Sequence, residues 1–229
     1  ESPNRVADIR GFTPSPLSNT TPPTTSVTGG TPSGAPRLGG TITATAGVWT
    51  AGSQLSYQWY SCLRGSDSSE TILPDGCTEI PLAMSRTLNV NSDTYLGAHL
   101  LIGETASIVT DGDVTQRDVM YSASKGPVSE APVNSLAPSL TGSSGVGSTV
   151  TADDGQWQGS PEPTLTPQWY SCSSVLETSS SSLPAGCVAI SGATASTYTI
   201  TRSQLDKFVL VEVKALNSAV ASAVSQFSA

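Results

Sequence analysis

The chain has 229 residues, with 10 Lys and Arg against 18 Asp and Glu, a net charge of −8. A field of that sign repels phosphate backbones and anionic membrane faces, so nucleic acid is not an expected partner, and no apolar run approaches the roughly 18 residues of a membrane-spanning helix. Only 12% of residues are charged, with 21 Gly and 16 Pro, a composition of short strands and turns that predicts an all-β chain with room for two domains of about 100 residues each.

The first 13 residues offer one short strand, Val6 to Phe12, too little to fold alone. Pro14, Pro16, Pro22 and Pro23 follow, and their fixed φ and missing N–H groups predict an extended spacer. Residues 1–22 are therefore expected to be an arm and spacer, with one domain over 23–130 and a second over 131–229. Strands are expected in the first at 26–29, 40–45, 55–62, 78–80, 87–90, 98–109 and 119–124, the last two joined by a turn at Asp111-Gly112-Asp113. Lys125-Gly126-Pro127 and Ala131-Pro132 bracket a short junction. Strands in the second are expected at 139–142, 148–152, 166–172, 188–190, 197–200, 208–216 and 221–227. There Val209, Val211 and Val213 alternate with Leu210, Glu212 and Lys214, the period of a strand with one buried face.

The two domains repeat one another. Gln58-Trp59-Tyr60-Ser61-Cys62 returns as Gln168-Trp169-Tyr170-Ser171-Cys172, and Gly47-Val48-Trp49 answers Gly155-Gln156-Trp157. Leu73-Pro74-Asp75-Gly76-Cys77 answers Leu183-Pro184-Ala185-Gly186-Cys187, so one fold is used twice. All four Trp and all four Cys stand at matched positions, which is where a scaffold keeps its core and staples. A lone active site has no reason to be duplicated.

Alternation along the pentapeptide places Trp59 on one face of its strand and Tyr60 and Cys62 on the other. With Trp59 and Trp169 in the core, Cys62 points outward and its nearest partner is Cys77, as Cys187 is for Cys172. Such bonds pin an outer loop. Free thiols or a metal site are the alternative, disfavoured because no His or further Cys stands near to complete four ligands. Paired cysteines belong in an oxidising compartment. Trp49 and Trp157 are assigned to the core, each closing an open end of its sandwich, with an exposed platform for a sugar ring as the alternative. Tyr60 and Tyr170 invite the same choice between sugar stacking and packing over a disulfide loop.

With about seven strands per repeat, this pattern resembles the immunoglobulin-like repeats of secreted and surface proteins of actinobacteria. It runs through the pentapeptide, the second Cys, Gly192-Ala193-Thr194, Thr197-Tyr198-Thr199 and the strand Val209 to Val213. The first repeat departs at Leu82-Ala83-Met84, sets Gly103 against Val213 and inserts 111–117. The resemblance implies a modular extracellular sandwich and carries no catalytic activity.

His99, the single histidine, has no nucleophile motif beside it. Asp111, Asp113 and Asp118 lack the spacing of a helix-loop-helix calcium site, so neither a metal nor a cofactor is expected. Asn19-Thr20-Thr21 is a formal N-glycosylation triplet. An opening at Glu1 without Met or an apolar leader is expected of a mature secreted form, and equally of a fragment.

The expected function is structural and non-enzymatic: an extracellular, self-assembling surface filament or matrix subunit without membrane insertion. Its partner would be a second copy, engaged head to tail by strand addition through Val6, Ile9 and Phe12. The alternative is a cell-surface adhesin or carbohydrate-binding module for host or matrix glycans or proteins.

Overall fold

The computed structural model describes residues 15–110 and 113–229. It is all-β, built from antiparallel sheets that fit a β-sandwich, with two single-turn 3-10 segments at Asp93–Tyr95 and Arg202–Gln204. The chain divides into two compact units, and the division does not follow the repeat boundary. One unit takes the described residues among 15–26, 43–88 and 100–124, the other 27–42, 89–99 and 125–229.

The first repeat supplies β1 (Asn19–Thr21), β2 (Thr24–Thr28), β3 (Thr41–Thr45), β4 (Val48–Trp49), β5 (Gln54–Cys62), β6 (Cys77–Glu79), β7 (Thr87–Asn89), β8 (His99–Thr110) and β9 (Asp113–Tyr121). They form a four-stranded sheet β6-β5-β8-β9, a three-stranded sheet β2-β3-β7 and the pair β1-β4. The second repeat supplies β10 (Glu130–Leu136), β11 (Ser139–Gly142), β12 (Thr149–Asp153), β13 (Gln156–Ser160), β14 (Thr164–Cys172), β15 (Cys187–Ala189), β16 (Thr197–Thr199), β17 (Phe208–Leu216) and β18 (Val224–Phe227). Its sheets run β15-β14-β17-β18 and β11-β12-β16, with β10-β13 as the added pair, so the same plan is built twice.

The second repeat's core joins Val150 and Ala152 of one sheet to Trp169 and Val211 of the other, with Ile200 beside them and Tyr198 stacked 5.6 Å from the Trp169 ring. Each Trp is tied at its polar edge: the indole N–H of Trp59 donates to the Ser85 carbonyl and that of Trp169 to Ala195, both at 2.8 Å. Burial of the ring therefore leaves no orphaned donor. In the first repeat Ile42, Ala44, Trp59, Val90 and Ile102, at the matching positions, are all closed to solvent.

The four-stranded sheets bury both faces. Cys62 and Cys172 lie on the outer face, bonded to Cys77 and Cys187 directly across the strand pair. From each Cys the loop crosses that face and reaches the far edge strand, where Glu70 exchanges two backbone bonds with Tyr121 and Ser180 two with Phe227. Beneath the first loop Leu101, Tyr121 and Tyr60 pack with the loop's own Leu73 round the disulfide; beneath the second, Tyr170, Leu210 and Phe227 pack with the loop's own Leu176. The bonds thus pin an outer loop, as expected, and that loop roofs a second small apolar cluster.

Three expectations change. The stretch read as an extended spacer is docked from Leu17 onward, where the Leu17 N–H donates to the Gln116 side chain, Ser18 N–H to the Thr50 hydroxyl at 2.9 Å, and Asn19 opposes Trp49. The strand expected from 119 starts earlier, because β9 begins at Asp113 and pairs with β8 from there to Tyr121, so the insertion lengthens a hairpin. Gly103 stands opposite the position of Glu212, not Val213: the Ser122 hydroxyl accepts from Ile102 N–H as Ser228 does from Val211 N–H, and Gly103 faces Tyr121 as Glu212 faces Phe227. A Cβ at Gly103 would come within 2.9 Å of the Tyr121 ring and 3.1 Å of Tyr60. Two aromatic rings occupy in the first repeat the space that a Glu side chain fills in the second.

Candidate functional site

At one end of the first repeat Gly47, Val48 and Trp49 meet β1 and the side chain of Glu104. Glu104 sits in an otherwise apolar run, Leu100 to Ile102, and is fully buried. It accepts from the Gly47 N–H at 2.9 Å and from the Trp49 indole N–H at 2.5 Å. Burying a carboxyl group without such donors costs several kcal/mol, on the order of 1 to 3 even when it is neutral. The Tyr57 hydroxyl reaches the same carboxyl; burial first, and then the Glu104 charge, push Tyr57 up from its ordinary value. The second repeat has Pro167 opposite Val213 on the corresponding strands, and its Trp157 indole donates to the Asp154 carbonyl instead. The polar cluster belongs to the first repeat alone.

Gly47 also explains its own match. A Cβ there would collide with the Thr21 carbonyl oxygen and stand 3.0 Å from the Asn19 amide nitrogen and from Glu104. At Gly155, whose φ is +76°, it would collide with the Leu136 carbonyl. In both repeats glycine is the residue that lets the first strand close. The amide nitrogen of Asn19 is shielded from solvent and has no hydrogen-bond partner among the described residues, so the glycosylation triplet is not presented by the folded chain.

The other predicted residues are dispersed. Trp59 and Trp169 are fully buried, whereas Trp49 and Trp157 are only half-buried, each on the short strand opposite the repeat's first strand. Tyr170 is buried, its ring edge-on to Phe227 at 5.8 Å and its hydroxyl donating to Glu212 at 2.6 Å, so it offers no free face to a sugar. Burial, followed by the bond to Glu212, pushes the Tyr170 phenol up to about 12. Tyr60 is half-buried, edge-on to Tyr121 at 5.6 Å. Val6, Ile9 and Phe12 lie outside the described residues, as does Asp111, and among the described residues no cluster of metal-ligating side chains forms.

Sequence reasoning did not single out Glu104, although a lone carboxylate in an apolar strand is a visible signal. Nor did it find a cavity of about 300 Å³ in the second repeat, between the disulfide loop and the start of β17, lined among others by Leu176, Gln204, Lys207 and Phe208. Comparison with protein-family models, with curated proteins and with solved structures finds no match.

Proposed function

We propose that the chain is a non-enzymatic extracellular structural protein, two tandem immunoglobulin-like sandwiches that link into a surface filament or matrix. The observation that carries this reading is what the duplicated residues do. Trp59 and Trp169 fill closed interiors, and the four Cys staple loops over the outer sheet faces. Two disulfides fit an oxidising, extracellular setting, and among the described residues no helix is long and apolar enough to cross a membrane. β6 and β15 are the outer strands of their sheets, and an open sheet edge can accept a further strand, the contact through which one copy would join the next. A head-to-tail contact is heterologous and need not close, which is the geometry of a filament. The arm residues Val6, Ile9 and Phe12 are assigned as the apolar anchors.

The test removes residues 1–13 and compares particle size by light scattering. The full chain is expected to associate and the shortened chain to associate less; equal association by both overturns the role of the arm. A second reading, an adhesin or glycan-binding module, draws on the cavity beside Phe208 and on the exposed Val175 next to it. It gains if the full chain stays monomeric yet binds an immobilised glycan.

A further inference from the structure

We infer that the first strand exchanges between copies, residues 15–21 of one molecule seating in the socket that they occupy here in their own. This rests on the self-association reading and adds to the arm a second contact: a socket formed by Gly47, Trp49, Thr50, Glu104 and Gln116.

The seat is thin on the strand's side and firm on the socket's. β1 has three residues and two register partners, with an irregularity between them. Its remaining holds are the half-buried Leu17 N–H on Gln116, the Thr50 N–H on the Ser18 carbonyl at 3.0 Å, and side-chain bonds of Thr50 with Pro16 and Ser18 and of Thr20 with the Val48 carbonyl, these last solvent-exposed and therefore weak. The shielded Asn19 amide gains no bond from any described residue. Within the socket Glu104 keeps its hydrogen bonds from Gly47 and Trp49 without the strand, whereas Thr50 and Gln116 bond the strand itself and so mark its seat. Leaving the seat breaks these bonds, and an identical seat on a neighbour restores each of them.

The connector decides the direction. Only Pro22 and Pro23 separate β1 from β2. Proline holds φ near −65°, has no N–H to close a turn, and drives the residue before it toward extended geometry. Two in a row keep the connector extended and stiff, as it is here, and exchange of an identical terminal element between chains is a low-cost route to assembly. The second repeat lacks this freedom. Its first strand, β10, has seven residues and four register partners, and the connector before it is bonded through Val128 to Ala98 and through Ser129 to Pro36.

The Ser18 and Thr50 hydroxyls lie 3.2 Å apart, and all four native cysteines are already bonded. Full-length Ser18→Cys and Thr50→Cys proteins are mixed at high concentration, oxidised mildly and resolved without reductant. Exchange predicts a band of twice the chain mass, increasing with concentration, in which peptide mapping finds a disulfide joining position 18 of one chain to position 50 of the other. The protein carrying both substitutions should form a ladder of multiples. A link confined within single chains at every concentration, or no mixed link at all, overturns the exchange. If particles assemble without mixed links, self-association stands and the exchange falls; if neither appears, both fall. Ser18 is exposed and Thr50 half-buried, so the substitutions leave the core intact.

Discussion

Tyr170 and Glu212 show how much one side-chain pair sets in this chain. The phenol donates to Glu212, which also accepts from the Ser225 hydroxyl at 2.6 Å and lies 3.5 Å from the Lys214 ammonium. An unfolded tyrosine ionises near pH 10, while in the folded chain burial and Glu212 hold Tyr170 up at about 12. A raised folded value favours the neutral form, so the stability it confers is complete below about pH 10 and is lost as pH rises toward 12. Denaturant unfolding between pH 9 and 12 should show the native chain losing stability faster than Tyr170→Phe, and parallel profiles would refute the coupling. Trp169→Ala should cost roughly 3 to 5 kcal/mol through lost transfer energy and the cavity left behind, read from the same unfolding curves. Tyr60→Ala, at a half-buried ring, should cost clearly less. Which face of the pentapeptide strand is buried deepest was legible in the sequence, because alternation separates Trp169 from Tyr170. That the outer face is buried as well was not, since its cover comes from a loop whose crossing no local pattern encodes.

At the scale of elements, the disulfide loop acts as a roof. Closing a loop with a sequence separation of 15 residues constrains the unfolded chain by about 3 kcal/mol in the entropic model. Cys62→Ala with Cys77→Ala should therefore lower stability by roughly that amount, and further if Leu73 leaves the Tyr60–Tyr121 pair; thermal unfolding with and without the bond measures it. A cost near zero would mean that the Glu70–Tyr121 backbone bonds alone hold the loop. The long strands were readable because each carries alternation and a flanking turn. β1, β4, β10 and β13 were not: β4 has two residues, β1 is wedged between prolines, and β10 contains Pro132, which an edge strand tolerates where its missing N–H would face solvent. The one-residue shift that sets Gly103 against Glu212 also escaped the sequence. Both alignments keep an apolar alternation, and only the Ser122 and Ser228 bonds fix the register.

For the whole molecule, the repeated plan and the differences between its two copies point the same way. Matched residues build scaffold twice, while Glu104, Trp49, Tyr57 and the proline-linked first strand make one end of the first repeat unlike its counterpart. A duplicated scaffold with one distinctive end is suited to joining copies in a line. Electron microscopy of the full-length protein, taken across a concentration series, tests this most directly. The account predicts linear filaments whose subunit repeat matches one chain and whose length grows with concentration. Isolated monomeric particles at every concentration would contradict it.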